Sequence, residues 1–200
     1  MKLAAAPRIL TVAALCAAAL IGLVIAEGLA RADGQEITLP MEAVDPRSLL
    51  SGHYVQLNFT RRLEAAEACP VDTSGAALND DWEWVALRPS NGIYVVAGGA
   101  PSRDQAERLG PLAVKGTFTC SPPTPPSQGV EGLPGWLSLN VGVDRFHINQ
   151  TDATRIERVL GEQRPDQETR AFAILSVGRD GRARLKALLI DGERFDLSWL

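Results

Sequence analysis

Few side chains in this 200-residue sequence are suited to chemistry, and their spacing limits what they could do. A Ser-Lys pair needs a hydroxyl activated by a desolvated amine, and Ser48 or Ser51 with Lys115 is the available combination. No oxyanion-hole motif accompanies either serine, and an exposed surface position is the plain alternative for Lys115. His53 and His147 are the only imidazoles; they could ligate or relay a proton, or simply hydrogen-bond the backbone near strand ends. With two histidines and no CxxC spacing, a zinc site has no ligand set, and neither metal nor cofactor is expected. Cys69 and Cys120 are the only thiols outside the N-terminal apolar stretch, which holds Cys16. In an oxidising compartment they could pair across a loop of about fifty residues, restricting the unfolded chain by up to about 4 kcal/mol.

Whether that compartment is reached depends on the N-terminus. Residues 9–26 carry no charge, and eighteen helical residues at ~1.5 Å each span about 27 Å, close to the ~30 Å hydrocarbon core. Lys2 and Arg8 precede the stretch and Glu27 follows it, which keeps the N-terminal end in the cytoplasm and exports the rest. The sequence therefore divides into a cytoplasmic N-terminus (1–8), a transmembrane helix (9–26), a linker (27–34) and an exported globular domain (35–200). The competing reading is a secretory signal cleaved after Ala32, because Ala30-Arg31-Ala32 has the small-x-small pattern of such sites. Against cleavage, the apolar stretch exceeds a signal core of ~7–15 residues, and no helix breaker separates it from the supposed cleavage point.

Charge argues about partners. Two of the 20 basic residues, Lys2 and Arg8, precede the apolar stretch, leaving 18 against 24 acidic ones, so nothing recommends a nucleic-acid partner. A hydrophobic content of 46% is inflated by the apolar N-terminus; the remainder has the composition of a soluble domain with its own core.

The elements that would position these residues are legible from alternation and turn chemistry. Gln35 to Leu39 reads as a strand, and so does His53 to Thr60, where Val55, Leu57 and Phe59 share one face. Trp82 to Leu87 and Ile93 to Val96 flank Asn91-Gly92 as a tight hairpin, with Trp82 and Trp84 packing on the sheet or offering a binding platform. Ser102 with Gln105 forms a capping box that opens a short helix ended by Gly110-Pro111. Leu112 to Cys120 returns to strand, and five prolines between Ser121 and Gly135 predict an extended loop. Leu137 to Val143 is a further strand and Thr151 to Leu160 a second short helix. Ala171 to Val177 and Ala183 to Ile190 form a hairpin about Asp180-Gly181, with Phe195 to Leu197 closing the sheet. Arg179, Arg182, Arg184 and Lys186 crowd that turn, either solvated or facing anionic lipid.

The segment Val44-Asp45-Pro46-Arg47-Ser48-Leu49-Leu50-Ser51-Gly52-His53-Tyr54-Val55-Gln56-Leu57-Asn58-Phe59 resembles the signature of a bacterial family named after its motif, the GDYXXLXY proteins. Gly52, Tyr54 and Leu57 match, as does the Val-Asp-Pro-Arg lead-in; His53 stands in place of Asp, and Phe59 in place of Tyr. The layout is also similar: an apolar helix, the motif soon after it, and a hairpin near the C-terminus. The resemblance implies membrane anchoring, bacterial origin and, since such proteins are often encoded beside polytopic membrane proteins, a polytopic membrane partner. It implies no activity. An Asp entering a strand could act as acid, base or metal ligand, but His53 does not replace its charge. As a fold element the motif makes equal sense: Asp45 caps a turn, Gly52 takes a positive φ, Tyr54 covers the strand and Leu57 packs inward.

These readings predict an α+β fold, mainly antiparallel sheet with two short helices, behind one transmembrane helix. The function expected is that of a non-catalytic envelope module working with a membrane partner. The alternatives are an exported domain that binds a small molecule or lipid in an apolar pocket beside Tyr54 or Trp84, and a Ser-Lys hydrolase.

Overall fold

The computed structural model describes residues 5–41, 54–63, 67–70, 83–125, 132–147 and 171–196. Alanine and leucine dominate the N-terminal stretch and favour helix, and Pro7 falls in the first turn, where a missing N–H costs nothing. The outcome is one uninterrupted helix, α1 (Ala5–Ala32). Its large apolar side chains from Ile9 to Leu29 are each more than half exposed, with no protein packed over them. Arg8–Ala32 is long and apolar enough to cross a membrane, a property that a signal sequence near the N-terminus shares. The helix runs six residues past the apolar stretch, so most of the expected linker is its last turns. Only Asp33 and Gly34 separate it from the first strand, and the Asp33 N–H still donates to the Leu29 carbonyl at 2.9 Å.

The strands, in chain order, are β1 (Gln35–Met41), β2 (Tyr54–Gln56), β3 (Phe59–Leu63), β4 (Trp84–Ser90) and β5 (Ile93–Ala100). After the short helix α2 (Arg103–Leu109) come β6 (Leu112–Lys115), β7 (Thr117–Ser121), β8 (Gly135–Asn140) and β9 (Arg145–His147). The chain closes with β10 (Ala171–Val177), β11 (Ala183–Ile190) and β12 (Glu193–Asp196). Every pairing among the described strands is antiparallel: β1-β10-β11-β12, β3-β8-β7, β5-β4-β6 and the pair β2-β9. The mainly antiparallel α+β fold is therefore as the sequence predicts. The expected helix from Thr151 to Leu160 lies outside the described residues.

Period-two burial explains the sheet. In β1, Ile37, Leu39 and Met41 are buried between more accessible neighbours. Strands β10 and β11 are buried along nearly their whole length and meet Phe59, Leu87 and Phe118 in one apolar cluster. Alanines build a second, thinner layer, Ala86, Ala100 and Ala113 of the β4 sheet against Ala106 of α2. Tight turns sit where sequence chemistry allows positive φ in both central residues: Asn91 and Gly92 between β4 and β5, Asp191 and Gly192 between β11 and β12.

Three predicted elements differ in detail. The strand expected over 53–60 changes partner between Gln56 and Phe59, leaving β9 for β8, and the Leu57 N–H bonds the Asp144 carbonyl at 2.8 Å in the gap. The strand from Leu112 to Cys120 is split at Gly116, which lies so close to the Asn140 carbonyl that a β-carbon would overlap it. The capping box does not form. Ser102 caps α2 through its backbone, its carbonyl accepting the Ala106 N–H at 3.1 Å without a side-chain cap bond.

Candidate functional site

The described part of the motif begins at β2 and runs on into β3. Residues 54–56 pair with β9 so that Tyr54 is opposite His147, two of the residues singled out from sequence on adjacent strands. Leu57 and Phe59 are buried, and Phe59 lies opposite Leu139 in the β3-β8 ladder. Beside Phe59, a cleft bordered by Leu39, Tyr94, Val96 and Leu137 has about 20 Å³ of water-accessible space, room for about one water. The lead-in, Asp45, Pro46, Arg47, Ser48 and Ser51, and the motif's Gly52 and His53 lie outside the described residues.

Lys115, the amine of the Ser-Lys reading, is half-exposed at the end of β6. Its Nζ lies 3.9 Å from a Glu83 carboxylate oxygen and 5.4 Å from the centre of the Trp84 ring. Trp84 is also approached by Arg103 at 5.9 Å, and its ring fills the space that a side chain at Gly181 would need. Of the two tryptophans offered as a platform, Trp84 is half-buried under the β10-β11 turn, and Trp82 lies outside the described residues. Cys69 and Cys120 are joined by a disulfide with their Cα atoms 5.9 Å apart, and both pack against the main core.

The most developed polar constellation lies outside the motif. Arg184 of β11 is only 7% exposed, yet it carries a charge into the junction between α1 and the sheet. Its Nε donates to Glu27 Oε1 at 2.5 Å and its Nη2 to Glu27 Oε2 at 3.1 Å, a two-point grip on the last turns of α1. Nη1 and Nη2 also reach the two Asp180 oxygens, at 3.1 and 2.9 Å. One guanidinium thus holds a carboxylate from the helix and another from the hairpin turn, the geometry for which arginine's planar fork is suited. Hydrogen bonding from Arg184, above all, lowers the Asp180 carboxyl to about 2, and the two carboxylates raise the Arg184 guanidinium further above its ordinary value.

The turn is fixed from a second side. Arg103 Nη1 donates to the Arg179 carbonyl at 2.6 Å, and the Lys115 N–H donates to the Gly181 carbonyl at 2.8 Å. Gly34 completes the junction, packed so closely on Ser176 and Val177 of β10 that a β-carbon would overlap the Ser176 hydroxyl. The sequence does carry a signal for this site: Glu27 is the first charge after the apolar stretch, and Arg184 is the first of two charges in a mainly apolar strand, but 157 residues separate them. Of the four basic residues around the turn, Arg184 is committed to Glu27 and Asp180, and Lys186 to Glu36 at 3.0 Å. Arg179 and Arg182 are exposed, and among the described residues neither side chain pairs with a carboxylate.

No curated protein and no solved structure matches the chain. The family model described as GDYXXLXY protein matches residues 16–188, from within α1 to the last apolar residues of β11. The match covers most of the sequence, and the chain belongs to the GDYXXLXY protein family.

Proposed function

We propose that this chain is a bacterial envelope protein anchored in the cytoplasmic membrane by α1, N-terminus inside, whose exported domain works as a non-catalytic interaction module with a membrane partner. The observation that carries the reading is the grip of Arg184 on Glu27. A leader removed after Ala32 has no reason to be part of the fold, yet Glu27 supplies two of the hydrogen bonds of a buried guanidinium. Cleavage would leave Arg184 with Asp180 and the Arg182 carbonyl. A retained helix also keeps a continuous apolar surface on offer to lipid or to the helices of a polytopic neighbour. Cys69 and Cys120 fit an oxidising compartment beyond the membrane.

The alternatives have less to stand on. A ligand-binding module needs an apolar cavity of several hundred Å³, whereas the apolar cleft beside Phe59 holds about one water. The wider clefts, one between Lys115, Asn140 and Arg182 and one between Arg61, Glu67 and Arg88, are open and rimmed by charge. In the hydrolase reading, the amine of Lys115 lies at the surface beside Glu83 and the Trp84 ring. Photo-cross-linking from the middle of α1 in native membranes tests the proposal. A discrete adduct with one polytopic membrane protein is expected; recovery of lipid adducts alone would remove the partner, and a mature chain beginning at Asp33 would remove the anchor.

A further inference from the structure

The hairpin of β10 and β11 packs beside α1, and its turn meets the helix at Glu27 through Arg184. Gln35, the first residue of β1, is opposite Val177, the last residue of β10, so residues 178–182 continue past the start of β1 and run alongside the helix. Arg184 and Asp180 meet there at the level of Glu27, which is five residues, about 7.5 Å, back from Ala32 along the helix axis. Glu27 is also the residue at which the uncharged stretch ends. Headgroup layers extend ~5–7 Å beyond the hydrocarbon core, so an anchored α1 sets this turn within the phosphate layer. Its backbone is held by Arg103 and Lys115, and the Trp84 ring lies beneath Gly181, a residue type that favours this depth.

We infer that the β10-β11 turn docks on anionic phospholipid headgroups at the surface where α1 leaves the membrane, with Arg179 and Arg182 binding the lipid phosphates. This rests on the reading of α1 as a retained anchor. At the turn Arg184 is shared between Glu27 and Asp180, Glu83 faces Lys115 and Asp33 is exposed, while among the described residues neither Arg179 nor Arg182 has a carboxylate partner. Arg179 and Arg182 therefore keep their charge for a partner. Arginine suits phosphate because its fork matches two oxygens at once.

The test uses the full chain reconstituted in vesicles of phosphatidylcholine mixed with phosphatidylglycerol. Energy transfer from the tryptophans to dansyl-phosphatidylglycerol, compared with dansyl-phosphatidylcholine, reports which lipid sits at the domain. A preference for phosphatidylglycerol is expected that weakens with added salt. It should fall on the order of fivefold for each arginine removed in R179Q and R179Q/R182Q, and survive in R179K/R182K. A chain that resists alkaline extraction yet shows no preference, or keeps it in R179Q/R182Q, overturns the lipid docking while leaving the anchor intact. A chain released by alkaline extraction overturns both.

Discussion

Glu27→Gln distinguishes an anchor from a discarded leader, because a side chain that has been cleaved away cannot alter the stability of what remains. In the folded chain, Glu27 is 54% exposed and Arg184 7% exposed, so the pair lies between two regimes. Exposed ion pairs contribute ~0–1 kcal/mol, whereas breaking a fully buried one costs ~3–5 kcal/mol. Glutamine keeps one acceptor oxygen, and Asp180 still holds the guanidinium, so the loss expected is about 1 kcal/mol. For a domain of this size that lowers the melting temperature by about 3 °C. The double variant E27Q/D180N leaves the buried guanidinium with no carboxylate and should cost about 3 kcal/mol, more than R184M, which leaves two half-exposed carboxylates free to hydrate. Pulse proteolysis of the membrane-embedded chain measures all three. A Glu27→Gln protein as stable as the parent would refute the argument that helix and sheet fold as one unit. Equal costs for E27Q/D180N and R184M would refute the account of which charge is buried.

Acid should act on the same junction. Asp180 has its carboxyl lowered to about 2 from an ordinary 3.8, so its pairing contributes in full above about pH 4 and is lost as pH falls through 2. Melts between pH 5 and 2 should therefore decline more steeply for the parent than for D180N, and parallel curves would remove Asp180 from the acid response. Replacing Cys69 and Cys120 with serine opens a loop with a sequence separation of 51 and should cost up to about 4 kcal/mol on chain entropy; an unchanged urea midpoint and unchanged non-reducing gel mobility would mean that the bridge is not made. Gly181→Ala forces a side chain at φ 77° against the Trp84 ring. Strain and overlap together should cost about 3 kcal/mol, seen as a lower melting temperature with quenched or shifted tryptophan fluorescence.

What was legible in the sequence was what short-range physics writes. The Asn91-Gly92 and Asp180-Gly181 turns, the alternation of Ile37 and Leu39 and the uncharged run from Ile9 all depend on neighbours a few residues apart, and each has its counterpart in the fold. The Asp191-Gly192 turn carries the same signal, and after it β12 begins at Glu193, two residues before the expected Phe195. The capping box failed for a different reason. Ser102 has the right neighbour in Gln105, yet its side chain makes no cap bond, and the Gln105 Oε1 is buried without a hydrogen-bond partner. The strand break at Leu57 and the split at Gly116 depend on which distant strands compete for the chain, Leu57 taking Asp144 and Gly116 approaching Asn140. Least legible was the junction itself. Alternation along β11 cannot say that Arg184 will be buried, because the carboxylate that makes its burial tolerable lies 157 residues earlier, beyond the end of the apolar stretch.

The two-residue connection at Asp33-Gly34 gives α1 a fixed rotational phase. Each helical residue advances the side-chain direction by about 100°, and Glu27 must point at Arg184. Leu20 and Leu23, seven and four residues before it, therefore share its azimuth, and the directions of all other anchor side chains follow by counting. A neighbour that packs on a chosen stripe of α1 would then meet the sheet in one orientation. Inserting a single alanine between Ala26 and Glu27 would leave the apolar length almost unchanged, yet turn that stripe by about 100° relative to the sheet.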